Sequence, residues 1–141
     1  IYAGPGRLTA FSVDGSNIPD LVPILSVLAA CCEGVSEIYH ISRLKYKESD
    51  RIHSTAQLLK NLGVAVLEQD DRLVITGAHK LSGGMVDSFH DHRIVMAAAI
   101  ASLKADDIVT ITHSEAVRKS FPDFFAQFNR LGGNADVIPM E

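Results

Sequence analysis

Residues 21–32 read LVPILSVLAACC, twelve positions without a charge. Asp20 precedes the stretch and Glu33 follows it, which predicts a helix over 20–33. A helix that is apolar on every side is buried on every side. The run is shorter than the roughly 18 residues that span a bilayer, and Pro23 and Ser26 interrupt it. A second stretch of the same kind, IVMAAAIASL at 94–103, predicts a helix over 92–103. Two such helices in one short chain put helices at the centre and sheets outside. The class is α/β (α+β).

The rest of the chain is organised as a repeat. In a first unit, strand-like residues near 8–14 lead into helix 20–33. A strand over 36–41 and a helix over 49–62 follow. The second helix is amphipathic, with Ile52, Ala56, Leu59 and Leu62 on one stripe. Gly63 stops it, and strands 64–68 and 72–76 form a hairpin across Gln69-Asp70-Asp71. A second unit opens at Gly84-Met85-Val86-Asp87 and runs through helix 92–103, strand 108–112, helix 121–131, Gly132-Gly133 and a strand over 135–138. Val13-Asp14 answers Val86-Asp87, Asp20 answers Asp91, and Leu62-Gly63 answers Leu131-Gly132, a period of about 70 residues. Two β-α-β-α-β units of that length suit packed lobes rather than a solenoid. A doubly wound sheet competes with this reading. It asks for a glycine-rich turn after the first strand, and Gly15-Ser16-Asn17 is a weak one.

Composition narrows the function. Of the 141 residues, 47% are hydrophobic and 21% charged, with a net charge of −4. Nucleic-acid binders carry a basic excess, so neither nucleic acid nor a membrane is expected as partner. No secretory leader is evident, and a cytoplasmic protein is expected. The two cysteines, Cys31 and Cys32, are neighbours on a helix, so they point apart and read as small apolar fillers.

Charge gathers where helices begin. Residues 45–52, KYKESDRI, crowd five charges ahead of a helix. Lys47 and Arg51 flank Ser49, an expected N-cap. Arg93 follows Asp91-His92. Lys119 precedes Ser120-Phe121-Pro122-Asp123, which matches a capping pattern with Ser120 as cap. Cations weaken a helix N-terminus, and a bound anion reverses that penalty. Repetition in both units therefore points to a phosphate or carboxylate ligand, against the plainer reading of snorkelling surface side chains. Glu48 shares a helix face with Arg51 and is suited to hold or give a proton, or else is half of a surface ion pair. Asp20 stands at the head of the apolar helix, either as a helix-start acid or as a second proton-handling group. His90-Asp91-His92 sets two histidines one residue apart with no third ligand nearby in sequence, so no metal is expected. His53, His79 and His113 read as ordinary surface or partly buried residues. Tyr46 could stack on a base, but the acidic balance speaks against it.

Four motifs together carry a resemblance: Asn17-Ile18-Pro19-Asp20, Lys47-Glu48-Ser49-Asp50-Arg51, Asp91-His92-Arg93 and Lys119-Ser120-Phe121-Pro122. In this order and spacing, from about residue 15 to 133, the chain resembles the C-terminal part of the EPSP synthase family. The resemblance implies an inside-out barrel of β-α-β-α-β-β units around buried helices. It also implies that residues 1–141 are one partial domain, with repeat units at about 8–77 and 84–141. It implies transfer of the enolpyruvyl group of phosphoenolpyruvate to the 5-hydroxyl of shikimate 3-phosphate, by addition and then elimination of phosphate. It implies that no cofactor and no metal take part. Asp20 would accept the hydroxyl proton and Glu48 would protonate the methylene carbon. Arg51, Arg93 and Lys119 would hold phosphoenolpyruvate, and Lys47 and Arg43 would join Asp20 in holding shikimate 3-phosphate. Arg43 stands where some members have Asn, and His90 where Asn or Gly is frequent. The remaining partner would be the rest of the same enzyme, without which these residues alone are expected to be inactive. Two other readings remain. One is the related enolpyruvyl transferase acting on a UDP-amino sugar. The other is a non-catalytic anion-binding module, for which Asp20→Ala and Glu48→Ala would leave turnover intact.

Overall fold

A computed structural model describes residues 6–138. Strand β1 (Ser12–Asp14) leads through a 3-10 turn, Pro19–Leu21, into helix α1 (Val22–Ala30) and strand β2 (Val35–Tyr39). A second 3-10 turn, Ser42–Tyr46, precedes α2 (Arg51–Asn61) and the hairpin β3 (Ala65–Gln69) and β4 (Arg72–Thr76). Then come β5 (Gly84–Val86), α3 (His92–Ser102), β6 (Val109–Ile111), a 3-10 turn Ser114–Lys119, and α4 (Phe124–Arg130). The first four strands form one sheet in the order β1-β2-β4-β3, and β5 pairs with β6 in another.

Both sheets contain the same parallel crossover. β1 and β2 pair in parallel around α1, with Val13 opposite Ile38. β5 and β6 do so around α3, with Val86 opposite Ile111. Helices α1, α2 and α3 pack on one another between the two sheets. Ala29, Ala30, Ala56, Ala97, Ala98 and Ala101 are all buried, and small side chains let helix backbones approach closely. Ile38, Leu73 and Ile75 close the core from the larger sheet. The structure is therefore α/β with helices inside, as the apolar runs predict, and not doubly wound.

Burial of the apolar helices is less complete than their composition predicts. Leu21 and Leu28, seven positions apart, are 47% and 40% exposed, and Ile100 and Leu103 are also exposed. Among the described residues, α1 and α3 with their flanking turns each keep an apolar side uncovered. The cysteines behave as expected: both are thiols, and burial raises the pKa of each.

Several boundaries differ from the sequence reading. Helix α2 is capped by Asp50, whose carboxylate accepts from His53 N at 3.2 Å, and not by Ser49. Helix α4 begins at Phe124, after Asp123, and not at 121; the residues ahead of it, 114–119, coil into a separate 3-10 turn. No strand forms over 135–138. Asn129 takes both backbone groups of Ala135, accepting from its N at 2.7 Å and donating to its carbonyl at 2.8 Å, which removes them from any ladder. Gly63 does end α2, with φ 81.

One glycine is needed for close approach. A Cβ on Gly77, after β4, would stand 1.6 Å from the backbone oxygen of Cys32. Backbone cannot yield as a side chain does. Gly77→Ala is expected to lower stability by about 1–3 kcal/mol, read as a lower urea midpoint. An unchanged midpoint would show that the segment after α1 adjusts freely.

Candidate active site

The starts of α1, α2 and α3 meet at one place. Arg51 opens α2, yet its side chain is 1% exposed. It crosses to Asp91, the N-cap of α3, donating from Nε to Oδ2 at 2.8 Å and from Nη2 to Oδ1 at 3.2 Å. Nη1 donates to Asp20 Oδ1 at 2.8 Å, and Nη2 also donates to Glu48 Oε2 at 2.6 Å. One guanidinium thus binds three carboxylates through its planar fork of donors. Burial is the largest influence and works against its charge, but the bonds and charges of Asp91, Glu48 and Asp20 together outweigh it and the pKa is raised.

Asp91 is fully buried and fully used. Its Oδ1 also accepts from Arg93 N at 2.9 Å, capping α3. Its Oδ2 also accepts from Ser49 Oγ at 3.0 Å, and Ser49 in turn meets Ser54 Oγ at 2.9 Å. A single buried carboxylate therefore fixes the start of one helix to the start of another. Sequence reasoning gave Asp91 and Ser49 no site role. The signal was present in Asp91, an acid directly before an apolar helix, where an N-cap belongs.

Around this buried pair lies a more open layer. Lys119, at the end of the 3-10 turn, reaches Glu48 Oε1 at 2.6 Å. Arg93 Nη2 stands 3.5 Å from Asp20 Oδ2, and its buried Nε has no hydrogen-bond partner. The bond from Lys119, a backbone N–H and the Arg51 charge together hold Glu48 down at about 2, so it is ionised at neutral pH. His92 turns inward, with Nδ1 unpartnered, and burial lowers its pKa.

Asp20, Glu48, Arg51, Arg93 and Lys119 thus come together, although they span the chain from first helix to last. Arg43 and Lys47 do not join them: both are exposed and form no side-chain hydrogen bond or ion pair among the described residues. Asp20 sits in the 3-10 turn and not in the helix it was expected to start. Arg51 is not a snorkelling surface cation: it is buried, and three carboxylates meet its charge. Lys119 and Arg93 are the cations with capacity to spare. With three helix N-termini alongside, the arrangement can receive an anion at its open side while the two outer carboxylates handle protons.

The family model for EPSP synthase (3-phosphoshikimate 1-carboxyvinyltransferase) matches residues 1–128. The 3-phosphoshikimate 1-carboxyvinyltransferase of Clostridium acetobutylicum is 50% identical over 122 residues, covering 86% of this chain and 28% of the relative. That of Methanocella arvoryzae is 46% identical over 132 residues, 94% of this chain and 31% of the relative. The chain therefore spans about 30% of the length of these relatives. A solved EPSP synthase from Acinetobacter baumannii superposes with a TM-score of 0.83 at 33% identity, over 91% of this chain and 31% of that one. The enolpyruvyl transferase NikO of Streptomyces tendae, 19% identical with a TM-score of 0.73 over 91% of this chain and 29% of its own, shares the fold.

Proposed function

The chain belongs to the EPSP synthase family, and on that premise we propose that the complete protein moves the enolpyruvyl group of phosphoenolpyruvate onto the 5-hydroxyl of shikimate 3-phosphate and releases phosphate. The observation that carries this reading is the meeting of two outer carboxylates with three cations at the helix starts. The substrates are small anions, and the chemistry needs one proton taken from a hydroxyl and one given to carbon.

In this reading Asp20 accepts the hydroxyl proton as the oxygen attacks the enol carbon. Glu48 supplies the proton that the methylene carbon gains. Phosphate then leaves as the methyl group returns a proton. Arg93 and Lys119 hold phosphoenolpyruvate from the open side, and Arg51 holds it from below while keeping Asp20 and Glu48 in place. Lys47 and Arg43 contact the phosphate ester of shikimate 3-phosphate. A carboxyl group held near 2 is a poor donor at neutral pH. Binding of a phosphate by Lys119 removes the first cause of that depression, so Glu48 becomes able to carry a proton only when the site is occupied. The reaction calls for no cofactor, and the enzyme works in the cytoplasm. No helix among the described residues is long and apolar enough to cross a membrane.

The chain is two units of a larger domain, at about 8–77 and 84–141. The exposed Leu21, Leu28, Ile100 and Leu103 fit a further unit of the same protein. The rest of that protein supplies the other half of the cleft. The test is an assay of the full-length protein with both substrates, following phosphate and the enolpyruvyl ether. Turnover is expected, and Asp20→Ala is expected to reduce kcat by about 10²–10⁴-fold. No phosphate release, or an unaltered kcat in that variant, would reject the reading.

A further inference from the structure

His90 precedes Asp91, His113 and Glu115 stand at the start of the turn that ends at Lys119, and none has a part in the proposed reaction. Their ligand atoms all fall within 4.8 Å of one another. The two imidazole rings stack with centroids 3.8 Å apart and planes 29° from parallel. His113 Nδ1 is 3.7 Å from Glu115 Oε1. Around a tetrahedral zinc ion with bonds of about 2.0–2.1 Å, ligand atoms stand about 3.3–3.5 Å apart. The cluster is therefore about an ångström more open than a closed site. Side-chain rotation can supply that difference, since His113 and Glu115 are 31% and 60% exposed. The stack must open in the process, because a metal lies in the plane of each imidazole it binds.

The backbone beneath is already fixed. His90 and His113 both adopt left-handed conformations, φ 54 and 51, although neither is glycine. The hydroxyl of Ser88, fully buried, accepts from His90 N at 3.2 Å and donates to the His113 carbonyl at 3.4 Å. Asp87 Oδ1 accepts from Phe89 N at 2.8 Å and from Thr112 Oγ1 at 3.2 Å. The loop between β5 and α3 and the loop after β6, both at the same end of the parallel pair, are thus held so that the two imidazoles stack. In sequence the suggestive pair is His90 and His92, but His92 is buried in the fold and His90 finds its partners elsewhere.

Two imidazoles with one carboxylate form a borderline donor set. It suits zinc and its first-row neighbours and not calcium or magnesium, which prefer oxygen alone. We propose that His90, His113 and Glu115 bind a zinc-class divalent cation, with water at the open position, tying loop 87–91 to the loop at 112–115. The first loop carries Asp91, which anchors Arg51, and the second leads into the turn that ends at Lys119. A bound ion would brace both against each other. The inference stands independently of enolpyruvyl transfer.

The experiment is calorimetric titration of the full-length protein, stripped of metal by a chelator, with zinc chloride. One equivalent is expected to bind. His90→Asn and His113→Asn tolerate the left-handed backbone, and each should weaken binding more than about tenfold. Glu115→Gln, at an exposed position that requires no special backbone, should weaken it too. Failure to take up zinc would overturn the proposal. So would uptake of unchanged affinity in all three variants, which would place the ion on other residues.

Discussion

Arg51→Met is expected to cost the protein about 3–5 kcal/mol of stability and to abolish turnover. The reason lies in what the change leaves behind. Asp91 is fully buried, and its main counter-charge is the Arg51 guanidinium at 2.8 Å. Without it, a carboxylate remains in the interior with only Ser49 Oγ and Arg93 N to satisfy it. It must stay charged at high cost or take up a proton. Lysine would not rescue the site, because a single ammonium cannot bind Asp20, Glu48 and Asp91 at once in a planar fork. Adding Asp91→Leu to Arg51→Met should recover much of the lost stability, since a buried ion pair is often no better than apolar groups of its size. The lost cap of α3 still costs about 1 kcal/mol. Activity should not return, because Asp20 and Glu48 remain unanchored. Chemical denaturation and steady-state assays of the full-length protein check both parts. A single variant that loses less than about 1 kcal/mol would mean that Asp91 is not the buried anion its surroundings indicate.

Glu48→Gln is expected to lower kcat by about 10²–10⁴-fold and to cost a modest, measurable amount of stability at neutral pH. The amide keeps the shape but has one acceptor oxygen where Glu48 uses two, so it can accept from Lys119 or from Arg51 but not from both, and it has no acidic proton to give. Lys119 is 58% exposed, so water screens most of what its pair with Glu48 adds to stability. Acid separates the two proteins. The folded state holds Glu48 at about 2, below its ordinary value of 4.5, so the unfolded chain takes up the proton first. The stabilisation from this group is therefore present above about pH 4.5 and is lost as pH falls toward 2. Denaturation of wild type and Glu48→Gln across that window should show their difference shrinking. Asp14 is also held at about 2, by Ser16 and His40, but it is common to both proteins and cancels. A constant difference from neutral pH down to pH 2 would remove Glu48 as the source.

Much of the fold was legible because it rests on local pattern. Residues 21–32 and 94–103 have no polar side on which to face water, and that alone places them between sheets. The hairpin at Asp70-Asp71 and the stop at Gly63 are likewise local. The misread places depended on partners. Residues 135–138 look extended, yet nothing in their own sequence reveals that Asn129 will claim the Ala135 backbone. Ser49 and Ser120 are good caps in isolation, and Asp50 and Asp123 hold those positions instead. In the site, the side chains could be named from charge at helix starts. Their neutralisation could not, because Arg51 and Asp91 are 40 residues apart and no periodicity links them. The facing of His90 and His113 was hidden for the same reason, and because left-handed turns at Phe89, His90 and His113 carry no glycine to mark them.

The Lys119–Glu48 contact joins residues 71 positions apart, one from each half of the chain. Closing so long a span is a late event, since distant segments must already be arranged before it is rewarded. A partly assembled molecule can possess α1, α2 and α3 and still lack the grip that Lys119 completes. Any ligand held there would bind the finished form alone, and so would draw the population toward it by mass action. In this architecture an anion held there would double as a check that assembly has reached its end.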